Sequence, residues 1–195
     1  MRRCVHAVLL WIGLSTAVVA AGPDLQTVGP DRLARLLDPA PADRALVFHA
    51  WATWCAPCIE EFPDIVRLMN AFDDRGVRFV LVSADFGRDR KKVEQFLARQ
   101  GVTRRTYLYA GRDTGLIEAL DDRWSGALPA TYIVDRHGAV AYFHEGRSTY
   151  EKLKERIDIV LAEPRPNGTA TADTHNATTR DRQQTGPGMT PGEHR

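Results

Sequence analysis

The stretch Trp51-Ala52-Thr53-Trp54-Cys55-Ala56-Pro57-Cys58 decides the fold, because it lies between a predicted strand and a predicted helix. The run that ends at Trp51, from Ala45 onward, is short and apolar, which is typical of a central strand. Beyond Cys55, apolar side chains recur at the spacing of an amphipathic helix, at Phe62, Ile65, Val66, Met69 and Phe72. The Cys-x-x-Cys pair therefore occupies a strand-to-helix junction.

A helix start beside Cys55 has a chemical consequence. Unpaired N–H groups and the positive end of the helix dipole favour the thiolate, which lowers the cysteine pKa. Cys58 lies about one turn further, where it can resolve a mixed disulfide formed by Cys55. Zinc is the alternative for a bare Cys-x-x-Cys pair, but it needs two more ligands. The candidate histidines, His49, His137 and His144, are isolated, so we expect no metal.

The remaining elements are predicted outward from this junction. Strands are expected at 25–28, 77–83, 130–134 and 139–144, with a short edge segment at 107–109. Helices are expected after an Asp31 cap, at 89–99, around 116–120, and after a capping box at Ser148–Glu151. The early alternation of strands and helices predicts a parallel core, and the late hairpin adds antiparallel strands. The fold class is thus α/β, with a central mixed β-sheet flanked by helices.

Residues 1–21 have the pattern of a secretory signal peptide: Arg2 and Arg3, an apolar run, then small residues. An uncleaved inner-membrane anchor is the alternative, although the run is short for a span. We expect a periplasmic or otherwise exported protein. Its folded domain covers 22–163, and the polar, Pro- and Gly-rich segment 164–195 is predicted to be a disordered tail.

Composition supports a redox role for the two remaining cysteines. Cys4 leaves with the signal peptide, so Cys55 and Cys58 are the only thiols of the mature chain. A bridge between them closes too short a loop to stabilise the fold much, so chemistry explains the pair better. The net charge of +1 over 195 residues indicates no nucleic-acid partner.

Two motifs give the chain a resemblance to a known family. The stretch 51–58, followed by Glu60-Glu61-Phe62-Pro63, and the segment Gly126–Asp135 resemble the thioredoxin superfamily, in particular its exported TlpA/ResA-like branch. The resemblance covers roughly residues 25–162 and implies a thioredoxin-like fold. It also implies that Cys55 attacks and Cys58 resolves, with Ala56 and Pro57 shaping the site between them.

The resemblance assigns roles to the second motif as well. Pro129 would follow a cis peptide bond and pack against the disulfide, and the Leu128 backbone would bind an extended substrate. A trans proline that begins a strand is the alternative. Trp54 is expected at the rim of the site. Trp124 either lines the same groove or packs a loop.

Two ionisable residues are candidates for a proton relay. Glu61 matches an acidic residue that the branch places near the cysteines, and the alternative is an exposed glutamate on the helix surface. His49 replaces a buried acid or asparagine of the superfamily. It either accepts the Cys58 proton near neutral pH or is a core histidine with satisfied hydrogen bonds.

The sequence therefore predicts an exported thiol–disulfide oxidoreductase that exchanges disulfides with protein substrates. It needs no cofactor beyond the Cys55–Cys58 disulfide. The Ala56-Pro57 dipeptide favours the reducing direction, and the resemblance suggests a membrane thiol electron donor and substrates in cytochrome c maturation. A copper-handling module and a non-catalytic binding module of the same fold are the alternatives. The substrate, the direction and the donor stay open.

Overall fold

The computed structural model describes residues 22–111, 113–118, 120 and 123–163. The predicted signal segment 1–21, with Cys4, and the predicted tail 164–195 lie outside the described residues. Within this part of the chain, no helix has both the length and the apolar character required to cross a bilayer.

In the described part of the chain, six strands form one mixed sheet in the order β1-β4-β3-β2-β5-β6. Their bounds are β1 Leu25–Val28, β2 Ala45–Trp51, β3 Val77–Ser83, β4 Thr106–Tyr109, β5 Ala130–Asp135 and β6 Val140–Glu145. The first four strands are parallel to one another, whereas β5 pairs antiparallel with β2 and β6 antiparallel with β5. The predicted α/β class and the mixed central sheet are confirmed.

Helices cover both faces of the sheet. Their bounds are α1 Pro30–Leu37, α2 Ala56–Ala71, α3 Arg90–Arg99, α4 Asp113–Glu118 and α5 Tyr150–Ala162. One apolar cluster joins residues of α2, α3 and α5 to one face of the sheet, and a second joins α1 and α4 to the other. The fold is therefore a sheet between two helical layers.

Strand β2 lies inside the sheet and supplies side chains to both clusters. Ala45, Val47 and Trp51 pack with α2 and α5, whereas Leu46, Phe48 and Ala50 pack on the opposite face. All seven of its residues are buried, which explains why the sequence shows a continuous apolar run here and no alternation. β2 ends directly before the Cys-x-x-Cys segment, so this rigid central strand positions the pair.

Three local predictions were wrong. Helix α1 is capped by Gly29 with Pro30 at its first position, so Asp31 lies inside the first turn and is not the cap. Thr149, not Ser148, caps α5, because its hydroxyl accepts a hydrogen bond from the Lys152 N–H at 3.3 Å.

The third error concerns the segment 107–109. It belongs to β4, which lies between β1 and β3 and is not at the edge of the sheet. The edge strand on this side is β1. Its four residues pair in parallel with all four residues of β4.

Candidate active site

The two cysteines of the junction form a disulfide with a Cα–Cα distance of 5.3 Å. Cys55 is the N-cap of α2, with extended backbone angles, and Cys58 lies in the first turn of that helix. Cys55 is 6% exposed and Cys58 is fully buried. Ala56 and Pro57, between them, are exposed. Cys55 is therefore the less buried of the two cysteines.

Backbone hydrogen bonds fix the Cys55 sulfur at the helix start. The Cys58 N–H donates to Cys55 Sγ at 3.3 Å, and the Ile59 N–H donates to the Cys55 carbonyl at 3.1 Å. A proline at the second helical position leaves no N–H to satisfy there. The sulfur takes the place of the side-chain oxygen that normally caps a helix. A free helix N–H directed at a sulfur stabilises its thiolate form.

Asp85, which was not among the predicted site residues, anchors the loop that leads into the disulfide. Its carboxylate accepts hydrogen bonds from the Thr53 N–H at 2.8 Å, from Thr53 Oγ1 at 2.5 Å and from Ser83 Oγ at 2.7 Å. The side chain is buried. The available signal was an acidic residue placed just after β3, at the same sheet edge as the cysteines. Asp85 ties the end of β3 to the residue beside Trp54.

The proline-bearing loop approaches the junction from β5. The Leu128–Pro129 peptide bond is cis, as the resemblance implies. Ala130 pairs with Ala50 near the end of β2, so Pro129 lies at the sheet edge from which the disulfide segment emerges. Leu128 packs against the apolar cluster that contains both cysteines.

Hydrogen bonds at both ends hold this loop. The Ser125 N–H and hydroxyl both donate to the Glu145 carboxylate, at 2.9 and 2.7 Å, which lowers the pKa of Glu145. The Gly146 N–H donates to the Pro129 carbonyl at 2.8 Å. Glu145 and Gly146, at the end of β6, therefore fix the loop that carries the cis proline.

Three predicted site residues line one pocket of about 440 Å³: Trp54, which precedes Cys55 in the chain, Trp124 and Leu128. Trp54 is 59% exposed, as expected for a rim residue. Trp124 is buried, and its indole N–H donates to the Ala127 carbonyl at 2.8 Å. Trp124 thus lines this pocket and also packs its own loop, and its part in substrate binding stays a prediction.

Glu61 is buried on α2, so the alternative of an exposed surface glutamate is wrong. Its Oε2 accepts a hydrogen bond from the Ser148 N–H at 3.1 Å, and Oε1 has no partner in the part of the chain that the structure describes. Burial raises the pKa of Glu61 to about 7, although the Ser148 hydrogen bond and the charge of Arg147 oppose that rise. This carboxyl can gain or lose a proton near neutral pH.

His49 is fully buried in β2. Because side chains alternate along a strand, it lies on the face that α2 covers, with Val47 and Trp51. Its Nδ1 lies 3.0 Å from Thr131 Oγ1, directly across the β2–β5 pairing, and Nε2 has no partner among the described residues. Burial lowers the pKa of His49 to about 3, so the ring stays neutral and is a poor proton acceptor at neutral pH. The low pKa argues against a proton acceptor for Cys58 near neutral pH. The ring is a core histidine, but only one of its two nitrogens has a hydrogen-bond partner among the described residues.

The described residues show no cluster of three or more His, Cys, Asp or Glu side chains that could hold a metal ion. The chemistry visible at the junction is that of the disulfide itself. The hydrogen bonds of Glu61 and His49 lead to Ser148 and Thr131.

Known proteins resemble the chain over the same region. It is 27% identical over 117 residues to the thiol-disulfide oxidoreductase ResA of Geobacillus thermodenitrificans, covering 60% of this chain and 63% of that protein. It is 32% identical over 113 residues to the thiol:disulfide interchange protein HelX of Rhodobacter capsulatus, covering 57% and 58%. The chain thus spans less than two thirds of the length of either relative.

Solved structures share the fold. A thioredoxin family thiol:disulfide interchange protein from Chlorobium tepidum superposes with a TM-score of 0.54 at 22% identity, covering 66% of this chain and 84% of that one. A secreted thiol-disulfide isomerase from Corynebacterium glutamicum gives 0.53 at 19% identity, covering 62% and 72%. Both support the thioredoxin-like architecture described above. Residues 35–158 match the Redoxin family, and the chain therefore belongs to this thioredoxin-like family.

Proposed function

We propose that this chain is an exported thiol–disulfide oxidoreductase that reduces disulfides of protein substrates through Cys55 and Cys58. One observation carries the proposal: Cys55 caps α2 and accepts the Cys58 N–H on its sulfur, while Cys58 is buried one turn behind. Such an environment favours a nucleophilic thiolate at Cys55, the less buried of the two cysteines. The names of the relatives agree with this chemistry.

The reaction begins with both cysteines reduced. The Cys55 thiolate attacks one sulfur of a substrate disulfide, the Cys55–substrate bond forms, and the other substrate sulfur leaves as a thiolate. Cys58 then loses its proton and attacks Cys55 Sγ, which releases the second substrate thiolate. Two electrons pass to the substrate, and the protein ends in the disulfide form that the structure shows.

Glu61 is the group that we assign to the proton of Cys58. Its carboxyl is buried three residues beyond Cys58 on the same helix, and its pKa of about 7 suits transfer near neutral pH. His49 contributes a neutral ring to the same face of the sheet and holds Thr131 in place. Trp54, Leu128 and Pro129 are assigned to substrate binding, because they lie at the sheet edge where the disulfide segment begins.

The reducing direction requires a source of electrons outside the cytoplasm. We assign that role to a membrane protein that presents a dithiol, and substrates of the cytochrome c maturation type fit the resemblance. The signal-like segment 1–21 supports export. The Ala56-Pro57 dipeptide supports the reducing direction.

Reduction of insulin disulfides by the full chain tests the activity. Cys55→Ala should abolish turnover, whereas Cys58→Ala should still attack and accumulate a mixed disulfide with the substrate, detectable by mass spectrometry. The second variant is matched to the first because it removes one sulfur from the same helix turn. Turnover by Cys55→Ala would refute the proposed mechanism.

The reduction potential of the Cys55/Cys58 couple tests the direction separately. We expect a value nearer to about −270 mV, as in reducing thioredoxins, than to about −120 mV, as in strong oxidants. Equilibration with glutathione or dithiothreitol redox buffers gives this number. A potential close to the oxidant limit would reverse the proposed direction while leaving the exchange chemistry in place.

A further inference from the structure

The pocket that Trp54, Trp124 and Leu128 line extends well beyond these three residues. Phe86, Tyr109 and Leu116 add to its walls, and we call it the aromatic pocket: the cavity of about 440 Å³ lined by Trp54, Phe86, Tyr109, Leu116, Trp124 and Leu128. Cavities of this size accommodate a large organic group. Four of its six named walls are aromatic, which favours contact with another flat apolar group.

The rim of the aromatic pocket is unusually exposed. Four large apolar side chains are exposed in the part of the chain that the structure describes: Trp54, Phe86, Val140 and Ile159. Two of them, Trp54 at 59% and Phe86 at 55%, stand at this one pocket. An apolar rim around an apolar cavity is typical of a binding site.

Two polar side chains of the pocket wall, Asp85 and Trp124, already have hydrogen-bond partners. The Asp85 carboxylate accepts three hydrogen bonds from Thr53 and Ser83, and the Trp124 indole N–H is bound to the Ala127 carbonyl. A charged ligand would therefore lose its hydration without gaining a free partner from these groups. The pairing favours an apolar ligand.

The position of the pocket identifies its occupant. Trp54 is the neighbour of Cys55 in the chain, and Leu128 precedes the proline of the approaching loop. A polypeptide bonded to Cys55 Sγ therefore passes close to Trp54, which lines the pocket, and its neighbouring side chains come within reach of the pocket.

We propose that the aromatic pocket is a specificity subsite that binds a bulky apolar side chain, aromatic above all, located within two residues of the substrate cysteine. This inference rests on the proposed function and narrows it to a substrate class: polypeptides whose disulfide cysteine has an aromatic neighbour. Burying that side chain holds the substrate sulfur near Cys55 during the attack.

Peptide disulfides test the subsite in single-turnover reactions of the reduced full chain. Short peptide dimers, each joined by one disulfide, carry either Phe or Ala beside the cysteine and are otherwise identical. The readout is the ratio of the second-order rate constants for the two dimers, followed by the release of free peptide. We expect the Phe dimer to react about tenfold faster, as is usual for filling an apolar pocket.

Variants of the pocket test whether the preference for the Phe dimer arises there. Phe86→Ala removes one wall, and Ala110→Leu narrows the pocket from an exposed lining position, so each should bring the ratio close to one. Ile159→Ala, which removes an equally exposed apolar side chain from α5, should keep the ratio unchanged. Equal rates for the two dimers, or a ratio that survives in both pocket variants, overturns the subsite while leaving the proposed function intact. Failure to reduce either dimer refutes the proposed function itself.

Discussion

Two buried titratable residues, Glu61 and His49, belong to the elements that meet at the disulfide. Burial favours the neutral form of each side chain, which raises the pKa of the carboxyl to about 7 and lowers the pKa of the imidazole to about 3. The two displacements have opposite consequences for stability. The folded protein binds more protons than the unfolded chain at Glu61, and fewer at His49.

Glu61 should make the protein less stable as the pH rises. Between pH 4.5 and 7 the unfolded carboxyl ionises while the folded one stays protonated, so about 3 kcal/mol of unfolding free energy is lost across this window. Glu61→Gln keeps a neutral side chain at every pH and should remove this loss. Denaturant unfolding of the oxidised protein at pH 5 and pH 8 measures it. Glu60→Gln, at an exposed neighbouring position, is the control. If Glu61→Gln lost as much unfolding free energy between pH 5 and pH 8 as the unmodified chain, the raised pKa of Glu61 would be contradicted.

His49 should act in the opposite sense. As the pH falls from 6.5 towards 3, the unfolded imidazole takes up a proton that the buried ring does not, so stability is lost on acidification. We expect a loss of about 3 kcal/mol between pH 7 and pH 4 from this group. The measurement compares the pH dependence of unfolding for the unmodified chain, His49→Gln and the partly exposed control His144→Gln. If the difference in unfolding free energy between the unmodified chain and His49→Gln did not change with pH, the His49 ring would not be buried in its neutral form.

At the scale of elements, the site is a junction that neighbouring strands hold in place. β2 delivers the disulfide segment, β3 anchors it through Asp85, and β5 and β6 fix the proline loop through the Ser125–Glu145 and Gly146–Pro129 hydrogen bonds. These contacts join residues that are far apart in the sequence. The geometry around Cys55 thus depends on the whole sheet edge and not on α2 alone.

Asp85→Asn tests the anchor. The amide keeps the shape but loses the charge, and its NH₂ group faces hydroxyls that donate to the carboxylate in the structure. We expect about 2 kcal/mol less unfolding free energy, together with a severalfold lower kcat/KM for insulin reduction. Asp89→Asn is the control, because the Asp89 carboxylate lies 3.9 Å from Arg88 Nε and makes no side-chain capping hydrogen bond to α3, so this variant should change neither quantity. Full activity in Asp85→Asn would show that the loop needs no anchor.

The elements differ in how far the sequence alone could predict them. The apolar run Ala45–Trp51 predicts β2, and the spacing of apolar residues after Cys55 predicts α2. Both predictions succeed because each segment buries its apolar side chains in the pattern of its element. The position of β4 inside the sheet could not be predicted, since four residues give no signal of which strands flank them. Asp85 was missed for the same reason: its partner Thr53 lies 32 residues earlier and meets it only in the folded sheet. The burial of Glu61 likewise depends on Ser148, 87 residues later.

At the scale of the whole molecule, the described fold from residue 22 to residue 163 contains every residue assigned to the chemistry. The composition of segment 164–195 predicts a tail without a packed core. Deleting residues 164–195 should therefore leave insulin reduction and unfolding free energy within experimental error of the full chain. Deleting 150–195 instead removes α5 and its buried contacts, and this variant should not fold. If removal of residues 164–195 alone abolished activity, the functional domain would extend beyond residue 163.

The proposed mechanism requires that the start of α2 make Cys55 an acidic thiol. The most direct test is the pH dependence of alkylation of the reduced protein by iodoacetamide, with the modified cysteine identified by mass spectrometry. We predict that Cys55 reacts first, with a midpoint at least one pH unit below the value of about 8.5 for a free cysteine. A Cys55 midpoint at or above that value, or preferential modification of Cys58, would contradict the account.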